Sequence, residues 1–338
     1  MEAAGVKILF TSSQMAVVGL TEVFSRLPCI LKAYRRLKTS LKKDHPDLII
    51  LLDYPAFNIR LARHAKRFQV PVLYYISPQV WAWREGRIKK ISERVDRMSV
   101  ILPFEKAAYR KFGLDPDYVG HPLMDNVPRG LNRDEALRVL GLEKGPPILG
   151  LLPGSRKEEI ENLLPPMVEA AEILSSRHHG LRCLLPLAST VSPNLVDGLT
   201  SRSSVEIKIV QRDIYTTLAA CDLAMVASGT ATLETAIMGV PMIIVYRLSP
   251  ISYWIGKRVV KVPFIGLVNL VAGEEIVPEL IQGEVTPHRL AKEADAILGD
   301  GRKKENMIKN LEMVKTRLGQ GGASEKTAKI AIDMMEGP

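Results

Sequence analysis

The feature that most constrains the fold of this chain is an alternation of short apolar runs with longer amphipathic segments. Continuous apolar strands that alternate with helices are typical of a parallel sheet covered by helices on both faces. The pattern therefore predicts an α/β fold, and 338 residues are enough for two domains. The predicted strands are 48–52, 72–76, 98–102, 148–152, 183–187, 206–210, 223–226 and 242–246.

Prolines and glycines interrupt this alternation between residues 119 and 147. A stretch of this composition is typical of a connection between domains. We predict two Rossmann-like domains, with ligands bound in the loops beyond the carboxyl ends of the strands. The predicted bounds are a first domain over 1–125 with a returning C-terminal helix over 323–338, a linker over 126–146 and a second domain over 147–322.

The charge of the chain indicates an anionic partner without identifying it. A net charge of +9 suits a nucleotide, a phosphorylated sugar, an acidic membrane or a nucleic acid. The last is the least favoured, because no nucleic-acid motif is present. The chain has three cysteines without a CxxC pair, no long apolar run and no signal-like start. These features predict a protein that stays in the compartment where it is made.

Two loops combine small residues with a predicted helix start, a combination that favours a bound phosphate. Gly154, Ser155 and Arg156 follow run 148–152: the glycine allows close approach, the serine can cap the helix and the guanidinium can grip a diphosphate. An ordinary capped turn with a surface arginine explains this loop equally well. The second loop follows run 223–226 and contains Ser228, Gly229 and Thr230, with Glu234 one turn further on.

A carboxylate at position 234 can accept hydrogen bonds from ribose hydroxyls, or it can simply stabilise the positive end of a helix. Asp53 ends run 48–52 and is a candidate general base, although a lone loop aspartate is more often a turn or cap residue. Asn58 is the predicted cap of the next helix. His121 fits either a substrate-binding residue that acts on a diphosphate or as an acid–base group, or a buried hinge histidine.

Apolar residues beside basic runs form a third kind of candidate, for contact with a membrane or with acyl chains. The alternative is a core helix with a solvated face. No metal site is persuasive, because Asp115-Pro116-Asp117 reads as a turn and not as a metal-binding DxD motif. The candidate membrane or acyl contacts are Val17, Val18, Leu20, Phe24, Trp81, Trp83 and Trp254.

Taken together, these segments resemble the lipid-A-disaccharide synthase family from about Gly5 onwards. The resemblance rests on motifs that occur in the family's order: LLDYPAFN, YYISPQVWAWREGRIKKI, LPFEK, GHPLMD, LLPGSR, ASGTATLE, Tyr246-Arg247 and the segment 266–273. The family consists of inverting, metal-independent glycosyltransferases with two facing Rossmann-like domains, the GT-B type. The resemblance therefore implies a GT-B fold with a cleft and no cofactor.

The resemblance also implies an activity and a place for it. The family joins UDP-2,3-diacylglucosamine to 2,3-diacylglucosamine 1-phosphate and releases UDP, as a peripheral enzyme on the cytoplasmic face of the inner membrane of Gram-negative bacteria. It implies that Asp53 is the base, that Arg156 holds phosphate and that the 228–234 loop holds the nucleotide. Arg247 and Asn269 match the site, and a homodimer is left open.

Two departures from the family pattern stand out. Leu267-Val268-Asn269 replaces the usual Leu-Pro-Asn, and the family's opening strand–loop–helix–strand unit has no counterpart here. We therefore expect an incomplete first domain with an exposed sheet edge. The alternatives are another UDP-GlcNAc-type GT-B transferase, a UDP-sugar epimerase, or an inactive remnant that binds UDP or membrane.

Overall fold

The structure is a computed structural model, and the chain in it divides into two compact units. The first unit comprises 1–101, 105–119 and 324–338, and the second comprises 102–104 and 120–323. Each unit contains one wholly parallel sheet, which confirms the predicted α/β class. The residues described are 4–11, 20–82, 86–128, 130–211, 213–249, 253–254, 256, 258 and 262–336.

The sheet of the first unit has the strand order β1-β2-β3-β4. Strand β2 is buried along its whole length, with Leu73 and Tyr74 at its centre, so the sheet is covered on both faces at this strand. The elements are α1 (Leu20–Lys43), β1 (Ile49–Leu52), α2 (Pro55–Arg67), β2 (Val72–Tyr75), a 3₁₀ turn (Gln79–Ala82), α3 (Gly86–Ser92), β3 (Arg97–Val100), α4 (Glu105–Arg110), β4 (Asp117–Tyr118) and α14 (Ala323–Glu336).

Strand β1 lies at an edge of this sheet as described. The side chains of Ile50 and Leu52 are 51% and 52% exposed, whereas Leu51 on the opposite face is buried. Among the described residues, β1 pairs with β2 alone. Apolar side chains on an edge strand are a site where further chain can pair.

The sheet of the second unit has the order β10-β9-β8-β5-β6-β7. After β5 the chain adds β6 and β7 on one side of the sheet, and it then adds β8, β9 and β10 on the other side. The elements are α5 (Leu123–Asn126), α6 (Arg133–Leu140), β5 (Ile148–Leu152), α7 (Lys157–Ser175), β6 (Arg182–Leu187), α8 (Pro193–Thr200), β7 (Ile207–Gln211), α9 (Ile214–Ala220), β8 (Leu223–Ala227), α10 (Thr230–Ile237), β9 (Met242–Tyr246), α11 (Leu267–Ala272), β10 (Glu279–Ile281), a 3₁₀ turn (Gln282–Glu284), α12 (Pro287–Leu298) and α13 (Gly301–Arg317).

This strand order is that of a doubly wound fold, and its direction reverses between β5 and β8. The loops that leave the carboxyl ends of these two neighbouring strands diverge, so they open a crevice at the switch point. The predicted phosphate loops, at 153–156 and 228–229, are the two loops that leave β5 and β8. The topology therefore brings together two segments that are more than seventy positions apart in the chain.

The segment predicted as a linker, 126–146, lies in the second unit and is largely structured there. Its helix α6 is capped by Asn132, whose side chain accepts the Glu135 N–H at 3.0 Å, and it packs against α9. Arg133 ties the same helix to Asp222 through two hydrogen bonds of 3.0 and 2.7 Å. Prolines and glycines thus mark turns around a packed helix here, and not a free connection.

None of the helices in the described residues is both long and apolar enough to span a membrane.

Candidate functional site

A cavity of about 860 Å³ lies at the switch point of the second unit. Loops from the carboxyl ends of β5, β6 and β8 form its walls, together with the start of α9. The structure brings all seven of the residues predicted in the two phosphate loops to this cavity. Its described lining is Leu152, Gly154, Ser155, Arg156, Glu159, Pro186, Leu187, Ala188, Ser189, Asp213, Ile214, Ala227, Ser228, Gly229, Thr230, Ala231 and Glu234.

The loop after β5 is shaped by Gly154. Its φ of 115° lies in the region that side chains with a Cβ avoid, and an added Cβ would collide with the carboxylate of Glu159. The Thr190 hydroxyl donates to the Ser155 carbonyl at 2.6 Å and connects this loop to the one that follows β6. A glycine here is therefore a packing requirement as well as a conformational one.

The predicted capping role of Ser155 is wrong. Helix α7 is capped at Arg156, and Glu159 supplies the capping carboxylate from the first turn. Glu159 accepts the N–H groups of Ser155 and Arg156 at 3.0 and 3.2 Å and pairs with the Arg156 guanidinium at 3.0 Å. The Arg156 side chain is 67% exposed, and the backbone N–H groups of Ser155 and Arg156 are already bound by the Glu159 carboxylate.

The loop after β8 provides a helix start that no side chain caps. Ser228 is fixed by its N–H to the Val245 carbonyl at 2.9 Å and by its hydroxyl to the Ile265 carbonyl at 3.0 Å. Gly229 precedes α10 and forms no side-chain cap, and Thr230 and Ala231 line the cavity beside it. An uncapped helix start of this kind presents N–H groups that bind phosphate oxygens.

Glu234 lies on α10 and lines the same cavity. Burial raises the pKa of its carboxyl group, and hydrogen bonding from the neighbouring Tyr215 hydroxyl opposes that rise. Burial raises the pKa of Tyr215 in turn to about 12, so this hydroxyl remains a donor at neutral pH. The pair presents a carboxylate oxygen to the cavity from a fixed position, as hydrogen bonding to a diol requires.

Several residues of the site carried no clear signal in the sequence. Asp213 caps α9 by accepting the Thr216 N–H at 2.9 Å, and it lines the cavity together with Ile214. Ala188 and Ser189 reach the cavity from the loop after β6. The predicted strand 183–187 was a usable signal for that loop, because loops beyond strand ends line ligand sites in this fold.

Asp53 lies in the first unit, at the carboxyl end of β1. Asp53 and Tyr54 both adopt a positive φ, 44° and 42°, which is rare for side chains with a Cβ. The Tyr74 hydroxyl and the Asn58 amide donate to the Asp53 carbonyl at 2.6 and 2.7 Å and hold this conformation. Among the described residues, the exposed Asp53 carboxylate has no hydrogen-bond or ion-pair partner.

The predicted capping role of Asn58 is wrong. Helix α2 begins at Pro55, because a proline in the first turn needs no N–H partner, and Asn58 lies inside the helix. From there its amide donates to the carbonyls of Leu52 and Asp53 at 2.9 and 2.7 Å. Asn58 therefore fixes the strained loop from the helix side. Strain that is held by surrounding bonds is characteristic of functional loops.

His121 is buried in the second unit and lies outside the cavity lining. Burial lowers its pKa to about 4, so the ring is neutral at physiological pH. The ring Nδ1 accepts the Leu123 N–H at 3.2 Å, and the backbone N–H of His121 donates to the Leu318 carbonyl at 2.9 Å. Of the two interpretations left open by the sequence, these contacts favour the buried structural histidine.

Asn269 and Arg247 also lie outside the described lining of the cavity. The Asn269 side chain is fully buried, and both ends of its amide are bonded to residues 276–279. The Arg247 guanidinium donates to the carbonyls of Asn162 and Val285 at 3.2 and 2.7 Å. The structure therefore gives both residues bonds to protein groups that support the loops.

The predicted membrane and acyl contacts are only partly within the described residues. Trp81 is half-buried and its indole N–H donates to Glu105 at 3.0 Å, so it is held against the core of the first unit. Trp254 is 62% exposed and stacks under the Arg258 guanidinium at 3.4 Å. Outside the described part lie Val17, Val18 and Trp83, and the side chains of Leu20 and Phe24.

The acids of the DxD-like sequence are paired with cations. Asp115 accepts from Arg110 at 2.7 Å, and Asp117 accepts from Arg97 at 2.8 Å. No group of three or more potential metal ligands is found among the residues that the structure describes. The predicted turn at 115–117 is displaced in the structure: the turn lies at 111–113, and Asp117 is already the first residue of β4.

Comparison with known proteins identifies the family to which this site belongs. A model of the family described as "Lipid-A-disaccharide synthetase" matches residues 1–332. The lipid-A-disaccharide synthase of Geobacter metallireducens is 47% identical over 335 residues, which are 99% of this chain and 87% of the relative. The chain belongs to the lipid-A-disaccharide synthase family. It is accordingly a glycosyltransferase of lipid A biosynthesis.

Solved structures agree with this family at the level of the fold. A UDP-GlcNAc 2-epimerase from Neisseria meningitidis, bound to UDP-GlcNAc, aligns with a TM-score of 0.63 at 11% identity, over 93% of this chain and 82% of the other. A glycosyltransferase from Rickettsia africae aligns with a TM-score of 0.56 at 14% identity, over 91% and 82%. GT-B transferases and epimerases therefore share the fold of this lipid-A-disaccharide synthase family member.

Proposed function

We propose that the chain transfers diacylglucosamine from UDP-2,3-diacylglucosamine to 2,3-diacylglucosamine 1-phosphate, forming lipid A disaccharide 1-phosphate and UDP. Membership of the family gives the product class. The observation that carries the finer proposal is the meeting of two phosphate-type loops at the switch point between β5 and β8. A nucleoside diphosphate is the group that such a pair of loops recognises.

The second unit is proposed to bind the UDP part of the donor. The uncapped start of α10 and the Arg156 guanidinium take the diphosphate, because N–H groups and a planar cation are its natural partners. Glu234 accepts hydrogen bonds from the ribose hydroxyls. These groups stabilise the negative charge that develops on departing UDP, so we propose that the reaction needs no metal ion.

The first unit is proposed to supply the base. The carboxylate of Asp53 accepts the proton of the acceptor's primary hydroxyl while that oxygen attacks the anomeric carbon of the donor. The new C–O bond forms as the bond to the UDP oxygen breaks, and the electron pair leaves with UDP. A single in-line displacement inverts the anomeric centre. The two bonds to the Asp53 carbonyl support this role, because they fix the backbone from which the carboxylate projects.

Attachment to a membrane surface is also part of the proposal. Acylated substrates are confined to a bilayer, and an exposed tryptophan beside an arginine is typical of side chains at its interface. Trp254 and Arg258 form such a pair. We propose that the protein works as a peripheral enzyme on the cytoplasmic face of the inner membrane.

The experiment is a turnover assay with the two acylated substrates, with and without EDTA, followed by NMR of the product's anomeric linkage. We expect disaccharide and UDP in equal amounts, an inverted linkage and no effect of EDTA. Asp53→Asn is expected to lower kcat about 10²–10⁴-fold and to leave UDP affinity unchanged. Asp47→Asn, an exposed acid two residues before β1, is the matched control. Parent-like turnover of Asp53→Asn would contradict the assignment of the base.

A further inference from the structure

The first unit contains a basic groove of about 430 Å³ that the nucleotide site does not use. Arg60 and Arg63 from α2 form one side, and Arg87, Lys90 and Arg94 from α3 and the turn after it form the other. The rest of its described lining consists of Tyr34, Pro55, Ala56, Ile59 and His64. This lining contains five permanent cations and no acid.

Three of the cations that line the basic groove, Arg60, Arg63 and Lys90, have no compensating carboxylate among the described residues. Other surface cations of this unit, such as Lys66, do form an ion pair with a carboxylate. Arg94 donates only to the Ile59 carbonyl, at 3.1 Å. Like charges that line one groove repel one another, and an anion bound between them offsets that repulsion.

The pKa of the neighbouring His64 is affected by the positive charges around the groove. Partial burial lowers the pKa of His64, and the positive charges of Lys38, Arg63 and Arg67 lower it further. The ring is therefore neutral at pH 7 and adds a hydrogen-bonding group without adding charge. It lies 5.9 Å from the Tyr34 ring, measured between centroids, so it belongs to the packed wall of the groove.

The basic groove begins next to the proposed base. Pro55 and Ala56, which line it, directly follow Asp53 and Tyr54 and form the first turn of α2. No side chain caps this helix start. A ligand in the groove therefore extends from the loop of Asp53 along α2 towards a set of cations.

An apolar face leads to the other side of the groove. Leu27, Leu31 and Tyr34 follow one another at helical spacing on α1, and the two leucines are 42% and 43% exposed. Tyr34 connects this face to α2: its ring packs edge-on against Phe57 at 5.6 Å, and its hydroxyl donates to the Arg60 carbonyl at 3.4 Å. Apolar surface thus adjoins concentrated positive charge.

We propose that the basic groove binds the phosphomonoester of the acceptor sugar, with its acyl chains along the Leu27–Leu31 face of α1. This inference rests on the proposed function and adds the residues that select the acceptor. A concave site with guanidinium groups on two sides favours a dianionic phosphomonoester over the singly charged phosphodiester of a bulk phospholipid. The cations bind and position the acceptor, and they take no part in the proton transfer.

The test compares two double variants that change the net charge equally. Arg63→Gln/Lys90→Gln removes one cation from each side of the groove. Arg67→Gln/Lys89→Gln is the matched control, because these exposed residues lie on the same two helices and do not line the groove. The readouts are KM and kcat for the phosphorylated acceptor, calorimetric binding of that acceptor and of its dephosphorylated form in detergent, and UDP affinity.

We expect the groove variant to raise KM and Kd for diacylglucosamine 1-phosphate at least tenfold, since each charge-assisted bond contributes about one decade or more. UDP affinity, binding of the dephosphorylated acceptor and the control variant should remain within twofold of the parent. Equal acceptor affinity in the groove and control variants would overturn the inference. The inference would also be overturned if the groove variant lost only its binding to phosphatidylglycerol vesicles, because the groove would then bind bulk lipid. Failure of the parent to turn over refutes the proposed function, while the binding measurements still decide the groove.

Discussion

Replacing Asn269 with alanine distinguishes between a substrate-binding role and a structural role for this residue. If Asn269 touches the substrate, as its place in the motif implies, its loss raises KM. In the structure its amide instead bridges α11 to the chain that leads into β10. Its Oδ1 accepts the N–H groups of Ile276 and Val277 at 2.9 and 3.2 Å, and its Nδ2 donates to the Val277 carbonyl at 2.9 Å and to Glu279 at 2.8 Å.

The free energy of unfolding should fall by about 3–5 kcal/mol. Truncation leaves three buried backbone groups unpaired, and each costs about 1–3 kcal/mol, reduced where water enters the space left by the amide. The Glu279 carboxylate adds little to this sum, because it keeps the N–H groups of Ile265 and Gly266 at 2.8 and 3.0 Å. For a unit of about 200 residues, the loss corresponds to a decrease in Tm of roughly 10 °C.

The assay is thermal unfolding followed by circular dichroism, together with UDP titration at a temperature where both proteins are folded. We expect a lower Tm and unchanged UDP affinity. Asn306→Ala, in the exposed part of α13, is the matched control and should shift stability by less than about 0.5 kcal/mol. An unchanged Tm accompanied by a raised KM would refute the structural explanation and restore the substrate contact.

Three further substitutions test the second unit. Gly154→Ala should weaken UDP binding at least tenfold in a titration, because its φ of 115° and the nearby Glu159 side chain leave no room for a Cβ. Glu234→Gln should weaken UDP about tenfold but should leave binding of 2′,3′-dideoxy-UDP unchanged. Burial alone would raise the pKa of Asp222, but Arg133, the Ile148 N–H and Lys304 outweigh it and lower that pKa. The stability that Asp222 gives to the folded protein is therefore complete above the unfolded pKa of about 3.9. It is lost as the pH falls through the pKa that Asp222 has in the folded protein. Urea unfolding should accordingly show Asp222→Asn about 1–2 kcal/mol less stable at pH 7, with the difference shrinking below pH 4.

The sequence predicts the sheets well, because long apolar runs with β-branched residues have few alternatives to a buried strand. Each of the eight predicted strands is present, with ends displaced by at most two residues. Strands β4 and β10 were missed, since two and three residues give no periodicity to detect. The two phosphate loops were found from their composition, but their adjacency follows only from the strand order.

Polar side chains inside the fold were harder to predict, because their partners are set by tertiary contacts. Asn58 was predicted as a helix cap and Asn269 as a ligand-binding residue. In the structure both lie within helices, and their side-chain amides bind backbone groups. Glu159 looks like an ordinary first-turn acid of a helix, and only the turn at Gly154 directs its carboxylate into the loop. Sequence spacing alone does not show which buried group each of these side chains meets.

Every described residue that lines the nucleotide cavity comes from the second unit, while Asp53 and the basic groove belong to the first. The proposed donor site and the proposed acceptor site are thus encoded in separate stretches of chain. Sequence drift in α1, α2 or α3 can change the acceptor without altering affinity for the donor nucleotide. A protein organised in this way can acquire a new product by changes to one half of its sequence.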